Sequence, residues 1–118
     1  IVVGGQMQDN GSQLLGELAE VCLQHIFVNK AFICVQGAHL RSGFTVSSID
    51  LALFYKKVAT VSNEMIMMAD ASRFGYSALS PIGPLTVASK IITNQNVEDG
   101  FKQYCFENGI KLYTTFEF

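Results

Sequence analysis

The chain has 118 residues, with 8 Lys or Arg against 10 Asp or Glu and a formal net charge of −2. With 49% apolar and 15% charged residues, it has enough apolar surface to build a core and is too apolar for intrinsic disorder. Its longest apolar runs fall far short of the ~20 residues that a membrane helix needs, and a mildly acidic chain without a basic stripe argues against direct nucleic-acid binding by these residues.

Residues 1–3 are apolar and lead into Gly4-Gly5, which predicts a short buried strand ending in a turn. Residues 6–13 are polar and contain Gly11, which predicts a loop. From Leu14, apolar residues recur at Leu18, Val21, Cys22 and Ile26. That spacing predicts a one-faced helix ending near Phe27, with Glu17, Glu20 and Gln24 on its wet side. Residues 31–35 are a continuous apolar run, expected as a strand buried on both faces. Residues 36–45 carry two glycines, His39 and Arg41, and are expected as a loop. Leu51, Phe54, Val58 and Val61 mark a second helix, with Lys56 and Lys57 off its stripe.

Residues 64–69 read as another buried strand with Asp70 at its end, residues 71–84 as irregular, and residues 90–93 as a further strand. Asn96 is expected to cap a third helix, with Asp99 favouring its N-terminus. Val97, Phe101, Tyr104 and Cys105 form that helix's apolar face, and Asn108-Gly109 is its stop. The last segment alternates, with Ile110, Leu112, Thr114, Phe116 and Phe118 on one side. It is expected as a final core strand; a dimer surface through Phe116 and Phe118 is the competing reading.

Solid apolar strands between helices imply parallel βαβ units. The expected fold is therefore α/β: three layers, αβα, around a mainly parallel sheet. Cys22, Cys34 and Cys105 are odd in number, lack zinc spacing and sit among apolar neighbours. They are expected as buried free thiols, which points to a reducing cytoplasm. No metal, cofactor or membrane association is expected.

Ligands of such sheets bind outside the C-terminal ends of the strands. Three loops qualify: Val35-Gln36-Gly37-Ala38-His39, Ala69-Asp70-Ala71-Ser72-Arg73-Phe74-Gly75, and Thr93-Asn94-Gln95-Asn96. An Asp closing an apolar strand is costly unless it bonds something, so Asp70 either faces a ligand or ties down its own loop. Arg73 offers a fork to a phosphate or carboxylate, or is a solvated surface residue. Gly37 lets a backbone approach a ligand, or serves turn geometry alone. His39 lies in a candidate loop with no nucleophile or carboxylate placed to make it a catalytic base. Lys56 reads first as part of a wet helix face.

These loops also carry a resemblance. Gly4-Gly5, Ser12, Gly16, Ala31-Phe32, Gly37, Gly43-Phe44-Thr45, Ala69-Asp70-Ala71-Ser72-Arg73-Phe74-Gly75, Ile91-Ile92-Thr93-Asn94 and Asn108-Gly109-Ile110, in that order and with matching gaps, resemble the effector-binding domain of DeoR-type bacterial transcription regulators over nearly the whole chain. The resemblance implies a domain related to sugar-phosphate isomerases and CoA transferases that senses a phosphorylated sugar or polyol. It implies homo-oligomers, and DNA contact only through an N-terminal winged helix-turn-helix absent from these residues. On this reading residues 1–118 are most of a sensor domain, missing its first section with the family's Gly-Ser-Thr phosphate loop. Where the family commonly has Gly, this chain has Cys34. Leu51-Ala52 and Tyr55 stand where it often has a Glu-Ala pair and a Lys, and Arg73 replaces the usual Lys.

The resemblance therefore implies a ligand-sensing repressor domain and no enzyme, with Gln36, Gly37, His39, Lys56, Asp70 and Arg73 as ligand-binding candidates and no catalytic residue. Two other readings compete. One is a sugar-phosphate isomerase or transferase, against which stands the lack of a second acid or a positioned base. The other is a pure interaction module.

Overall fold

The apolar runs that read as strands pair mainly with one another, joined by long connections rather than by tight turns. A computed structural model describes residues 2–8, 11 and 13–114. In chain order the elements are β1 (Gln6–Gln8), β2 (Gln13–Leu15), α1 (Glu17–Leu23), β3 (Val28–Cys34), β4 (Gly37–His39), β5 (Gly43–Val46), α2 (Ile49–Thr60), β6 (Ser62–Met68), β7 (Ser80–Gly83), β8 (Lys90–Ile92), α3 (Asp99–Glu107) and β9 (Lys111–Tyr113). The principal sheet has the order β3-β6-β8-β9, and all its pairings are parallel. A second sheet, β4-β5-β7, is antiparallel. The mixed α/β class with a parallel sheet is the one expected.

Register explains the core. Ile33, Met67, Ile91 and Leu112 pair in one row across the four strands. Ile33, Met67 and Ile91 are buried, and Leu112 packs against the same cluster, which includes Ala52 of α2 and Phe101 and Cys105 of α3. Full burial of side chains this large contributes about 1.5–3 kcal/mol each. Ser48 caps α2, its Oγ accepting from the Leu51 amide at 3.2 Å. α3 ends as expected at Gly109, with φ at +69°. The Ile110 amide reaches back to the Cys105 carbonyl at 2.8 Å, closing a glycine-based stop.

Several expectations are corrected. Val2 and Val3 lie outside any strand, and Val2 is 85% exposed. The polar stretch after them contributes β1 instead, which pairs with β2 in an antiparallel hairpin. Mutual backbone pairing makes that hairpin, without an apolar run to announce it. α1 starts only after Gly16, and it buries Ala19 and Leu23 while Leu18 is 69% exposed. Sequence periodicity picked the neighbouring stripe, because apolar residues populate both sides of this short helix.

The 31–35 run is not buried on both faces. Ala31, Ile33 and Val35 are buried, whereas Phe32 and Cys34 are exposed, because alternate residues of β3 point to opposite faces and only one face packs into the core. Of the cysteines, Cys105 is buried, Cys22 is half-buried and Cys34 is exposed, all as free thiols. Residues 36–45 hold a β-hairpin where a loop was expected. Asn96 does not cap α3; Glu98 occupies that position, without a side-chain cap bond, because the preceding Val97 is drawn into the core. Tyr113 ends the last strand, and the expectations for Phe116 and Phe118 lie outside the described residues.

Candidate functional site

In a parallel pair, a one-residue step moves side chains to the opposite face of the sheet. One step beyond the core row, Cys34, Met68 and Ile92 pair in the next row, at the C-terminal ends of their strands. They floor a cleft of about 460 Å³. Its walls are the residues that follow each strand: Val35 and Gln36 after β3, Ala69, Asp70 and Arg73 after β6, and Asn94 after β8. All three loops expected at strand ends therefore meet at this one place.

The polar side chains of the cleft are engaged within the protein, Asp70 and Asn94 with each other. Asp70 precedes a single 3₁₀ turn, Ala71–Arg73. Its Oδ2 accepts from the Ser72 amide at 2.9 Å, and its Oδ1 accepts from Asn94 Nδ2 at 2.8 Å. Bonds from Ser72 above all, then from Asn94, with the Arg73 charge beside them, hold the Asp70 carboxyl below the usual carboxylate range. Asn94 Oδ1 in turn accepts from the Ala71 amide at 2.9 Å. Gln36 Oε1 accepts from the Ser47 amide. Arg73 projects its guanidinium over the Tyr76 ring, with Cζ 5.9 Å from the centroid. It is the one Lys or Arg among the residues lining the cleft.

Of the sequence candidates, the structure thus brings together Gln36, Asp70 and Arg73. Gly37 is buried beside them for a packing reason: an added Cβ would come within 2.5 Å of both Thr45 Oγ1 and the Tyr76 carbonyl. His39 lies on β4 in a separate cleft of about 410 Å³ with Arg41, Ser42 and Ser77, its Nδ1 accepting from the Arg41 amide at 3.1 Å. Lys56 is exposed on α2 and does not line the cleft. The sequence places Asn94 in one of the three candidate loops without singling it out, and gives Cys34, Met68 and Ile92 no place in the site. The signal for those three is their position at the end of a parallel strand.

The cleft can hold a small molecule against an apolar floor and present one cation to an anionic group. Asp70 is the one carboxylate lining it, and both its oxygens are bonded within the framework. Among the described residues, no group of three or more His, Cys, Asp or Glu is placed to hold a metal ion. No helix among them is long and apolar enough to cross a membrane.

Comparison with known proteins agrees on a regulatory role. Residues 1–95 match the family model described as the DeoR C terminal sensor domain. The chain is 28% identical over 113 residues to the HTH-type transcriptional regulator IolR of Bacillus subtilis, covering 96% of this chain and 45% of that protein. It is 32% identical over 98 residues to the uncharacterized HTH-type transcriptional regulator YulB of the same organism, covering 83% of this chain and 38% of that protein. It is 23% identical over 110 residues to the L-fucose operon activator of Haemophilus influenzae, covering 93% of this chain and 44% of that protein. The chain spans less than half the length of these curated relatives.

Proposed function

The chain belongs to the family of DeoR C-terminal sensor domains, and on that premise we propose that it reads a phosphorylated sugar or polyol for a DNA-binding transcriptional regulator of the repressor type. The observation that carries this reading is the cleft at the C-terminal ends of β3, β6 and β8, with Arg73 as its cation. A guanidinium offers two parallel donors to a phosphate, and its charge is fixed at every physiological pH. The apolar floor of Met68 and Ile92 suits the carbon face of a sugar or polyol. One relative's name also carries a sugar, L-fucose. DNA contact falls to a winged helix outside these residues, and the regulator acts as a cytoplasmic homo-oligomer. Ligand binding shifts the population between two arrangements of that oligomer, which differ in DNA affinity.

The test is calorimetry on the full-length regulator with a panel of pentose, hexose and polyol phosphates, beside their unphosphorylated counterparts. The expected result is binding of at least one phosphorylated compound, weakened by about 1–3 kcal/mol in Arg73→Ala, the range for a charge-assisted bond. Equal affinity for phosphorylated and unphosphorylated compounds overturns the reading.

A further inference from the structure

Resting on the sensor reading above, we propose that Asn94 is the positioning residue of the effector cleft, bracing the turn that carries Arg73 against the neighbouring parallel strand. A lone 3₁₀ turn has poor hydrogen-bond geometry and little stability of its own. The turn Ala71–Arg73 is held from downstream, where the Gly75 amide donates to the Ala38 carbonyl at 2.7 Å. There too Phe74 meets Phe101 edge-to-face, with ring centroids 5.2 Å apart. From upstream, the side chain that reaches across from another strand is Asn94. It accepts from the Ala71 amide at 2.9 Å and donates to Asp70 Oδ1 at 2.8 Å.

That reciprocal pair joins residues 23 and 24 positions apart, at the ends of β6 and β8. It fixes the first residue of the turn, and Arg73 follows two residues later. In these bonds the side chains of Asp70 and Asn94 supply one donor, Asn94 Nδ2, and three acceptors, Asn94 Oδ1 and both Asp70 oxygens. With Asp70→Asn and Asn94→Asp combined, the bonds from the Ser72 and Ala71 amides and the bond between positions 70 and 94 all have partners again. The new amide at 70 accepts from Ser72 and donates to position 94, and the new carboxylate at 94 accepts from Ala71. The negative charge moves by one side chain and stays near Arg73. Asn94→Asp alone instead sets two carboxylates against each other, and Asn94→Ala removes the brace.

The experiment measures affinity in the full-length regulator for the same sugar and polyol phosphate panel and for inorganic phosphate, with melting temperatures taken in parallel. Asn94→Ala and Asn94→Asp are expected to weaken sugar-phosphate binding about tenfold, because the turn that presents Arg73 is no longer preorganised. The exchanged double variant is expected to return to within about threefold of wild type, as a pair that couples rather than adds. Wild-type affinity in both single variants overturns the proposal. So does an exchanged variant that melts like wild type yet binds as weakly as Asn94→Ala, because Asn94 then acts by touching the ligand. If the wild type binds no phosphorylated compound, the sensor reading falls first and this proposal with it.

Discussion

At the scale of single residues, Asp70 shows how a side chain aimed at a candidate site can be absorbed by its framework. Its two oxygens each accept a hydrogen bond, from Ser72 and from Asn94. Those bonds favour the ionised form and lower its pKa from the ordinary 3.8. A carboxyl depressed in the folded state adds stability that is fully present above its unfolded value and is lost as pH falls through its folded value. Wild type is therefore expected to melt above Asp70→Asn at neutral pH. The gap between them should shrink as pH is lowered through 3.8 and beyond, and paired melting curves across acid pH measure it. Gly37 makes the same point from the opposite side. Its lack of a side chain suits a ligand loop, yet the space a Cβ needs is taken by Thr45 and Tyr76. A sequence shows that Asp70 and Gly37 stand at a strand end; it does not show which of their neighbours has already claimed them.

At the scale of elements, α3 offers a paired test of backbone logic. Gly109 holds φ at +69°, a conformation that costs an L side chain about 1–2 kcal/mol. Gly100 lies inside the helix with ordinary backbone, and a Cβ there would meet only Leu40 Cδ1 at 3.8 Å. Gly109→Ala is expected to destabilise by about 1 kcal/mol, whereas Gly100→Ala stabilises by about 0.5–1 kcal/mol. Denaturant titrations of the two variants check the opposite signs. Both glycines also mark what is legible in sequence. α2, β6, β8 and the α3 stop all emerge from apolar spacing and turn residues, because their own side chains decide them. β1, β2, β4 and β5 do not, because hairpins of polar or glycine-bearing residues exist through pairing partners that no local pattern reveals. For β3, the apolar run marks the element, but which of its residues are exposed depends on which face of the sheet packs into the core.

At the scale of the whole molecule, one parallel sheet does two jobs in adjacent rows. Ile33, Met67 and Ile91 turn into the helical side and form the core, while Cys34, Met68 and Ile92, one step on, turn to the other face and floor the cleft. The three loops of the site could be located from sequence because strand ends in parallel sheets converge. The membership of the site could not, because Met68 and Ile92 enter it through register and Asn94 through its bonds to residues 70 and 71. The central claim is that a sugar or polyol phosphate binds in this cleft, and methyl resonances read it directly. In the full-length regulator labelled at Met and Ile methyl groups, titration with the bound phosphorylated compound is predicted to shift Met68 and Ile92. The exposed Met7 and Ile49, which do not line the cleft, should hold still. Binding that leaves Met68 and Ile92 unmoved contradicts the account.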